Sequence, residues 1–444
     1  MQTGAVSKNK LEPGLGGESM TFIIVFLTAI VVWLSRGIYD PSVPVLVAFF
    51  LYWTAETIFG KDRLRFANSY SFLLPWIFAI CFIFQNDLLY VSASQKALIP
   101  FLKLLPFLGL VCFELNRKNA NRFWIYLGSL LLSLGFLAVP FLSPEPHIDV
   151  FQSNRMAVDF FLHGTNPYAS LYTDIYHQQY DYLPGFLYWP GALLLQTVSQ
   201  ILFHDIRVIL ILAWLAAGLL LKEKKTILLI WLTLPFLAFA FEQAWLDPLI
   251  ALGGALTLYG LRKQKLMLWV FGVVIAATVK QYGFMIGLFS MIYFVRLNGI
   301  SRTIKPFLMM AIGFLVILAP FVAWNPHAFL DMTVLTHAHA KIRPDALNFT
   351  AFWLKNTGLE LSSLTQLFFI LFGLCAACMH VLKNFTRGLR VIPEAWAVFF
   401  GFSIYFGKFA FCNYFLLLIC FWLMAESEGA VPDLIEQKNL RVNT

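Results

Sequence analysis

Apolar residues fall along this chain in long blocks separated by short polar turns. The blocks run from 20 to 34, 42 to 59, 70 to 85, 97 to 114, 123 to 142, 186 to 203, 206 to 221 and 226 to 241. Seven more follow, at 248 to 261, 266 to 279, 282 to 296, 304 to 324, 362 to 382, 391 to 407 and 408 to 425. A helix rises about 1.5 Å per residue and a bilayer core is about 30 Å thick, so roughly 20 apolar residues make one crossing. The pattern predicts an all-α integral membrane protein, a polytopic bundle of about 12–15 transmembrane helices in which the shortest blocks serve as half-spans.

Composition agrees: 59% of the 444 residues are hydrophobic and 13% charged, outside the range of soluble globular domains. The first block follows a polar stretch and lacks a small-x-small cleavage site, so it reads as a retained signal anchor. All six cysteines lie within apolar blocks, where they pack as small hydrophobes. Cys375 and Cys378 make a CxxC by spacing only, without the second pair or flanking histidines that a metal site needs. No cofactor is therefore expected from the sequence, a divalent metal being left open.

The net charge of +8 does not mark a nucleic-acid surface, because the bases sit in inter-helix turns. Arg65 belongs to one such turn with Lys61 and Arg63; Arg117, Lys118 and Arg122 form another. Arg262, Lys263 and Lys265, then Arg296, Arg302 and Lys305, then Lys383, Arg387 and Arg390 complete the set, and the positive-inside rule makes these turns cytoplasmic. The segments 143–185 and 325–345 are expected on the opposite, outer face. Crossing counts from the two termini disagree over 186–221, so one block there is expected to be re-entrant or wrongly divided. The chain divides into a cytoplasmic tail (1–19), an N-terminal four-helix membrane segment (20–121), a membrane domain (122–425) and a second cytoplasmic tail (426–444).

The two outer segments hold six of the eight histidines. In the first, His147-Ile148-Asp149-Val150 follows a span, then Ala157 to Phe161, Gly164-Thr165-Asn166-Pro167-Tyr168, and Tyr182-Leu183-Pro184. This run resembles the first outer loop of the GT-C superfamily of glycosyltransferases, in particular the polyprenol-phosphate-mannose-dependent type (glycosyltransferase family 87-like). Gln243 with Asp247, Lys280-Gln281, the His/Arg-rich second loop and Asn413-Tyr414 extend the resemblance over roughly 122–425. The four spans before it have no counterpart. The family's Tyr-x-Tyr-Pro-Pro is here Tyr180-Asp181-Tyr182-Leu183-Pro184.

The resemblance implies transfer of a sugar from a polyprenyl phosphate to a lipid or glycan acceptor, in a GT-C-like fold whose outer loops form the site. A phosphate-linked sugar already carries a good leaving group, so one carboxylate suffices, as general base on the acceptor hydroxyl. Glycoside hydrolysis, by contrast, requires a second carboxyl as acid. Asp149 is the candidate base, the structural alternative being a carboxylate that caps the helix starting at Val150. His147 is a candidate to orient the acceptor or Asp149, or is a plain loop residue. Asp159 reads as an exposed carboxylate or a second group on the same helix face. Asn166 and Tyr168 shape a turn around Pro167, and Tyr182 belongs to the same outer-loop motif.

Negative charge builds on the departing phosphate and requires cations. Lys280, Lys341, Arg343 and Lys408 are the candidates, Lys280 and Lys408 having snorkelling as their ordinary explanation. Arg343 is preferred because its fork grips phosphate at two points. His337 and His339 are candidates to bond phosphate or sugar. Glu242, Gln243 and Asp247 are interfacial or face a polar cavity, where with Gln281 and Asn413 they would bind sugar hydroxyls. Glu394, inside an apolar block, reads as a helix-helix hydrogen-bonding group.

Together these readings predict an inverting membrane glycosyltransferase of the inner or plasma membrane with its site on the outer face. Mannose is the first candidate sugar, and the partners are the lipid-linked donor, the acceptor and membrane lipids. A transporter or flippase of lipid-linked sugars, and an O-antigen ligase- or polymerase-like enzyme, are the alternatives.

Overall fold

A computed structural model describes residues 18–60, 65–66, 76–78, 80–81, 88–119, 121–177, 184–221 and 225–428. Tyr182, the basic residues Lys61, Arg63 and Lys222, most of the apolar block from 70 to 85 and most of both tails lie outside these.

The described chain is helical apart from a two-residue antiparallel pairing of Glu18–Ser19 with Arg65–Phe66. The first helices are α1 (Met20–Ser35), α2 (Val43–Phe59), α3 (Ile99–Asn119), α4 (Arg122–Leu137) and α5 (Asp149–Leu162). Next come α6 (Pro190–Phe203), α7 (Val208–Leu220), α8 (Lys225–Leu232), α9 (Leu237–Glu242), α10 (Asp247–Arg262) and α11 (Leu266–Val279). The last are α12 (Phe284–Asn298), α13 (Ile300–Trp324), α14 (Phe349–Thr357), α15 (Ser363–Asn384), α16 (Val391–Tyr405) and α17 (Cys412–Ser427). Most of these bounds follow the apolar blocks; from 226 to 241 Pro235 lies between α8 and α9 and removes a backbone donor, and α5 and α14 are helices in segments where the pattern predicts no block.

By length and apolarity, three helical stretches qualify to cross a membrane: Phe123–Leu142, Ile300–Trp324 and Ser363–Tyr405. The last is two helices, because Gly388 at φ 79 breaks it and α15 packs back along α16. Many of the remaining helices are shorter, as α1 and α17 are at 16 residues each, which is about 24 Å against a core of about 30 Å. α6 and α7 pass the same test only together, bent by 108° at a four-residue break. The bend falls inside 186–221, where the crossing counts disagree, and makes the pair either one broken span or a re-entrant loop.

The break is held by Arg207, whose side chain is fully buried. Its guanidinium donates to Asp205 at 2.6 and 2.9 Å and to the Ser143 carbonyl at 2.7 Å, and stacks on Phe151 at 4.8 Å. It thereby ties the start of α5 to the bend.

α17 runs through the centre, nearly every residue from Cys412 to Ser427 being buried. α10 and α11 pack as a tight pair because glycines face each other: a Cβ on Gly253 would lie 2.6 Å from the Gly272 carbonyl, and the converse holds. The outer helices expose apolar faces instead, with Phe307, Leu308, Leu315 and Val316 on α13 and Leu364, Phe368 and Phe372 on α15. Such faces, on an all-α chain with long apolar helices, are compatible with a lipid environment.

The loops gather at two ends. At one, Arg262 approaches Glu428, Arg296 stacks on Phe385 and Arg387 donates to the Thr57 carbonyl, so basic turns distant in sequence are neighbours. At the other, Gln281 bridges the carbonyls of Leu187 and Thr333, and Tyr168 packs on Phe329. The two long polar segments therefore share an end, opposite the basic turns.

Candidate functional site

At the end shared by the polar segments lies a cavity of ≈ 360 Å³. Asp149, Gln243, Arg343 and Asn413, expected to act together from four separate stretches of sequence, all line it. Tyr90, Tyr188, Tyr414 and Asp345 complete much of the wall, with Arg36 from the end of α1. A recess of ≈ 40 Å³, walled partly by Thr173, Tyr176 and Gly185, adjoins Asp149 from the outer-loop side.

Asp149 is the first residue of α5, and one carboxylate oxygen accepts from the Val150 N–H at 2.8 Å. An acidic residue there complements the helix dipole. Asp149 is therefore not the capping residue, which is Ile148 and has no side-chain cap bond; its carboxylate bonds the next N–H and also lines the cavity. Burial, and after it the charges of Glu242 and Asp149, raise the Tyr90 phenol above its ordinary value.

Beside the cavity lies a buried ionic cluster. The Lys280 ammonium sits 2.9 Å from Asp247, whose other oxygen accepts from the Tyr282 hydroxyl at 2.6 Å. Asn413 also donates to Asp247, at 3.3 Å. The ammonium lies within 5.3 to 5.8 Å of the rings of Tyr188, Tyr282 and Tyr414, in cation–π contact. α11 ends at Val279, so Lys280 leaves the helix in an extended conformation that turns it inward, and the snorkelling explanation is replaced by an ion pair. Two walls of this cage, Tyr188 and Tyr414, line the cavity as well.

Arg343 does have the two-point geometry expected of it, but towards Asp345: its fork donates at 2.8 and 2.7 Å to the two carboxylate oxygens. Burial alone would raise the Asp345 carboxyl, and the guanidinium more than offsets this, holding it below its usual value. Arg343 also stacks on Phe411 at 5.1 Å.

Several expected residues take other roles. Glu242 is buried and accepts from the N–H groups of Leu89 and Tyr90 at 2.8 and 2.9 Å, so it pins the 88–90 loop and is not part of the cavity wall. Asn166 accepts from the Tyr168 N–H at 2.9 Å, and the buried Tyr168 hydroxyl donates to the Tyr188 carbonyl at 2.9 Å, which makes this motif the turn its proline suggests. Gln281 is committed to two carbonyls, and Lys408 donates to the Ala338 carbonyl at 2.7 Å. His337 packs against Leu187; burial pushes its imidazole below the ordinary value, a hydrogen bond to that carbonyl opposing and the Lys280 charge reinforcing the shift. His147, Asp159, His339 and Lys341 are exposed and do not line the cavity. Among the described residues, no three His, Cys, Asp or Glu side chains come together in a way that would hold a metal ion.

Sequence reasoning missed Arg36, Tyr90, Tyr188 and Tyr282 as wall or cage residues. Tyr282, next to Lys280-Gln281, and Tyr188, four residues past Pro184, were close to the quoted motifs. Arg36 and Tyr90 sit in the segment without a counterpart and carried no local signal. Searched against family models, curated proteins and solved structures, the chain finds no match in any of the three.

Proposed function

We propose that this chain is a multi-pass membrane glycosyltransferase with a GT-C-like architecture. It transfers a sugar, mannose being the first candidate, from a polyprenyl phosphate to a lipid or glycan acceptor on the outer face of the inner or plasma membrane. The observation that carries the reading is the convergence of Asp149, Gln243, Arg343 and Asn413 on one cavity at the end of the bundle opposite the basic turns. In this reading Asp149 takes the proton of the acceptor hydroxyl as that oxygen attacks the anomeric carbon, the bond from sugar to phosphate breaks, and the lipid phosphate departs with the electron pair. Direct displacement inverts the anomeric centre. Asn413 and Gln243 orient hydroxyls, while the aromatic wall stacks on the sugar.

A transporter or flippase is the second reading, favoured by the 108° break between α6 and α7, since broken helices mark many transporter sites. Purified protein incubated with radiolabelled polyprenyl-phosphate sugars and membrane lipid extract decides between them. A labelled product that requires Asp149 is the expected result. Movement of lipid-linked sugar across reconstituted vesicles without transfer would establish the transporter.

A further inference from the structure

Two stretches of the cavity wall come from outside the 122–425 region, Arg36 with Ile38 and Leu89 with Tyr90, and Arg36 is the cation among them. Arg36 follows α1 with its backbone in the left-handed region, φ 54, and Gly37 follows at φ 71. A non-glycine residue is strained there, and such strain persists only where the surroundings impose it.

The surroundings do so. The Gly37 N–H donates to the Val32 carbonyl at 2.9 Å, closing the helix end. A Cβ on Gly37 would lie 2.3 Å from the Cys412 backbone nitrogen, so the exit of α1 presses on the start of α17 where only glycine fits. Ile38 then forms an antiparallel bridge with Ala346, and the Tyr39 N–H donates to the Asp345 carbonyl at 2.8 Å. The segment carrying Arg36 is thus stitched to the two segments that carry Arg343, Asp345 and Asn413.

Held in this way, Arg36 lines the cavity with an exposed side chain. The other cations of the site are matched by carboxylates, Lys280 by Asp247 and Arg343 by Asp345. Among the described residues, the Arg36 guanidinium has neither an ion pair nor a hydrogen bond. Its five donors in a planar fork match a phosphate.

We propose that Arg36 grips the phosphate of the lipid-linked ligand, so that the N-terminal segment supplies the anion-binding group of a cavity built mostly by residues 148–414. The proposal rests on the polyprenyl-phosphate reading of the same cavity. Binding of three probes to purified protein in detergent tests it: undecaprenyl phosphate, the neutral undecaprenol and inorganic phosphate. Wild type should prefer undecaprenyl phosphate over both others. Arg36→Asn should lower affinity for undecaprenyl phosphate about ten- to a hundredfold, the loss expected for a hydrogen bond to a charged group. Its binding of undecaprenol should not change. Asparagine is at home in the left-handed region, so this variant should melt no lower than wild type, and a loss of binding then reports the charge rather than the fold. Arg36→Lys should fall between the two.

Wild-type affinity in Arg36→Asn would overturn the assignment and leave the enzyme reading standing. If wild type binds no undecaprenyl phosphate at all, the assignment and the donor reading both fail. Equal affinity of wild type for inorganic phosphate would overturn the lipid source.

Discussion

The two ends of this bundle carry comparable sets of charges and use them differently. At the basic end Glu394, fully buried, accepts from His380 and from Arg390, each at 2.8 Å, with Arg387 at 3.6 Å; Arg390 also reaches Glu426. The cluster joins α15, α16 and α17 and borders none of the cavities described above. At the cavity end, Asp247 and Lys280 are as deeply buried, but the aromatic cage around the ammonium and the Asn413 that donates to Asp247 face an open volume, with Asp149 and Arg36 on the same wall. Buried charge by itself therefore does not mark a site. What separates the two ends is polar capacity next to space, since a saturated network fixes helices while one bordering a cavity can exchange a protein partner for a ligand.

The largest effect that would break this comparison concerns Asp149. Asp149→Asn should lower turnover by about 100- to 10,000-fold in the transfer assay, with donor binding retained. Asp159→Asn, on the exposed face of the same helix, should leave turnover near wild type. Because an asparagine Oδ1 can accept the same Val150 N–H, a wild-type rate for Asp149→Asn would reduce the residue to that bond.

Next in size is a contrast in stability. Removing one partner of a buried ion pair costs about 3–5 kcal/mol, so Glu394→Gln and Asp247→Asn should both lower the melting temperature clearly. Per folded molecule, Glu394→Gln should keep donor affinity and turnover, whereas Asp247→Asn should lose both. A matching loss of turnover in Glu394→Gln would show that the closed end is coupled to the chemistry and would dissolve the distinction.

Arg343→Ala leaves Asp345 unpaired on the cavity wall, where its charge repels the donor phosphate, and should raise the KM for donor on the order of tenfold with kcat less affected; Arg343→Lys should retain part of the affinity. Unchanged kinetics in the alanine variant would confine Arg343 to its pair with Asp345. The smallest effect is on pH. Folding favours neutral His337, whose buried imidazole sits below its ordinary value, so the stability it contributes is present above about pH 6.5 and is lost as pH falls through the lowered value. Melting curves taken between pH 7 and pH 5 should therefore drop less for His337→Gln than for wild type.

Much of this was legible without coordinates. The positions of most helices follow from apolar blocks and their polar turns, because a backbone removed from water must satisfy its hydrogen bonds within a helix, and that constraint is local; α5 and α14, outside the blocks, do not show in this pattern. The grouping of basic turns at one end and of the two long polar segments at the other was equally readable from charge. Asp149, Gln243, Arg343 and Asn413 could be named as candidates from residue type and resemblance.

Only the tertiary structure decided which of those candidates meet. It sent Glu242 to the 88–90 backbone, Gln281 and Lys408 to carbonyls, and the Arg343 fork to Asp345. It also brought Arg36 to the cavity, across more than a hundred residues from Asp149, by pressing Gly37 onto Cys412. The physical reason is that a buried polar group must find its partners among whatever the packing places within about 3 Å, and packing is fixed by contacts between helices far apart in the chain. Residue type dictates what a side chain can bond to, and the fold chooses what it does bond to.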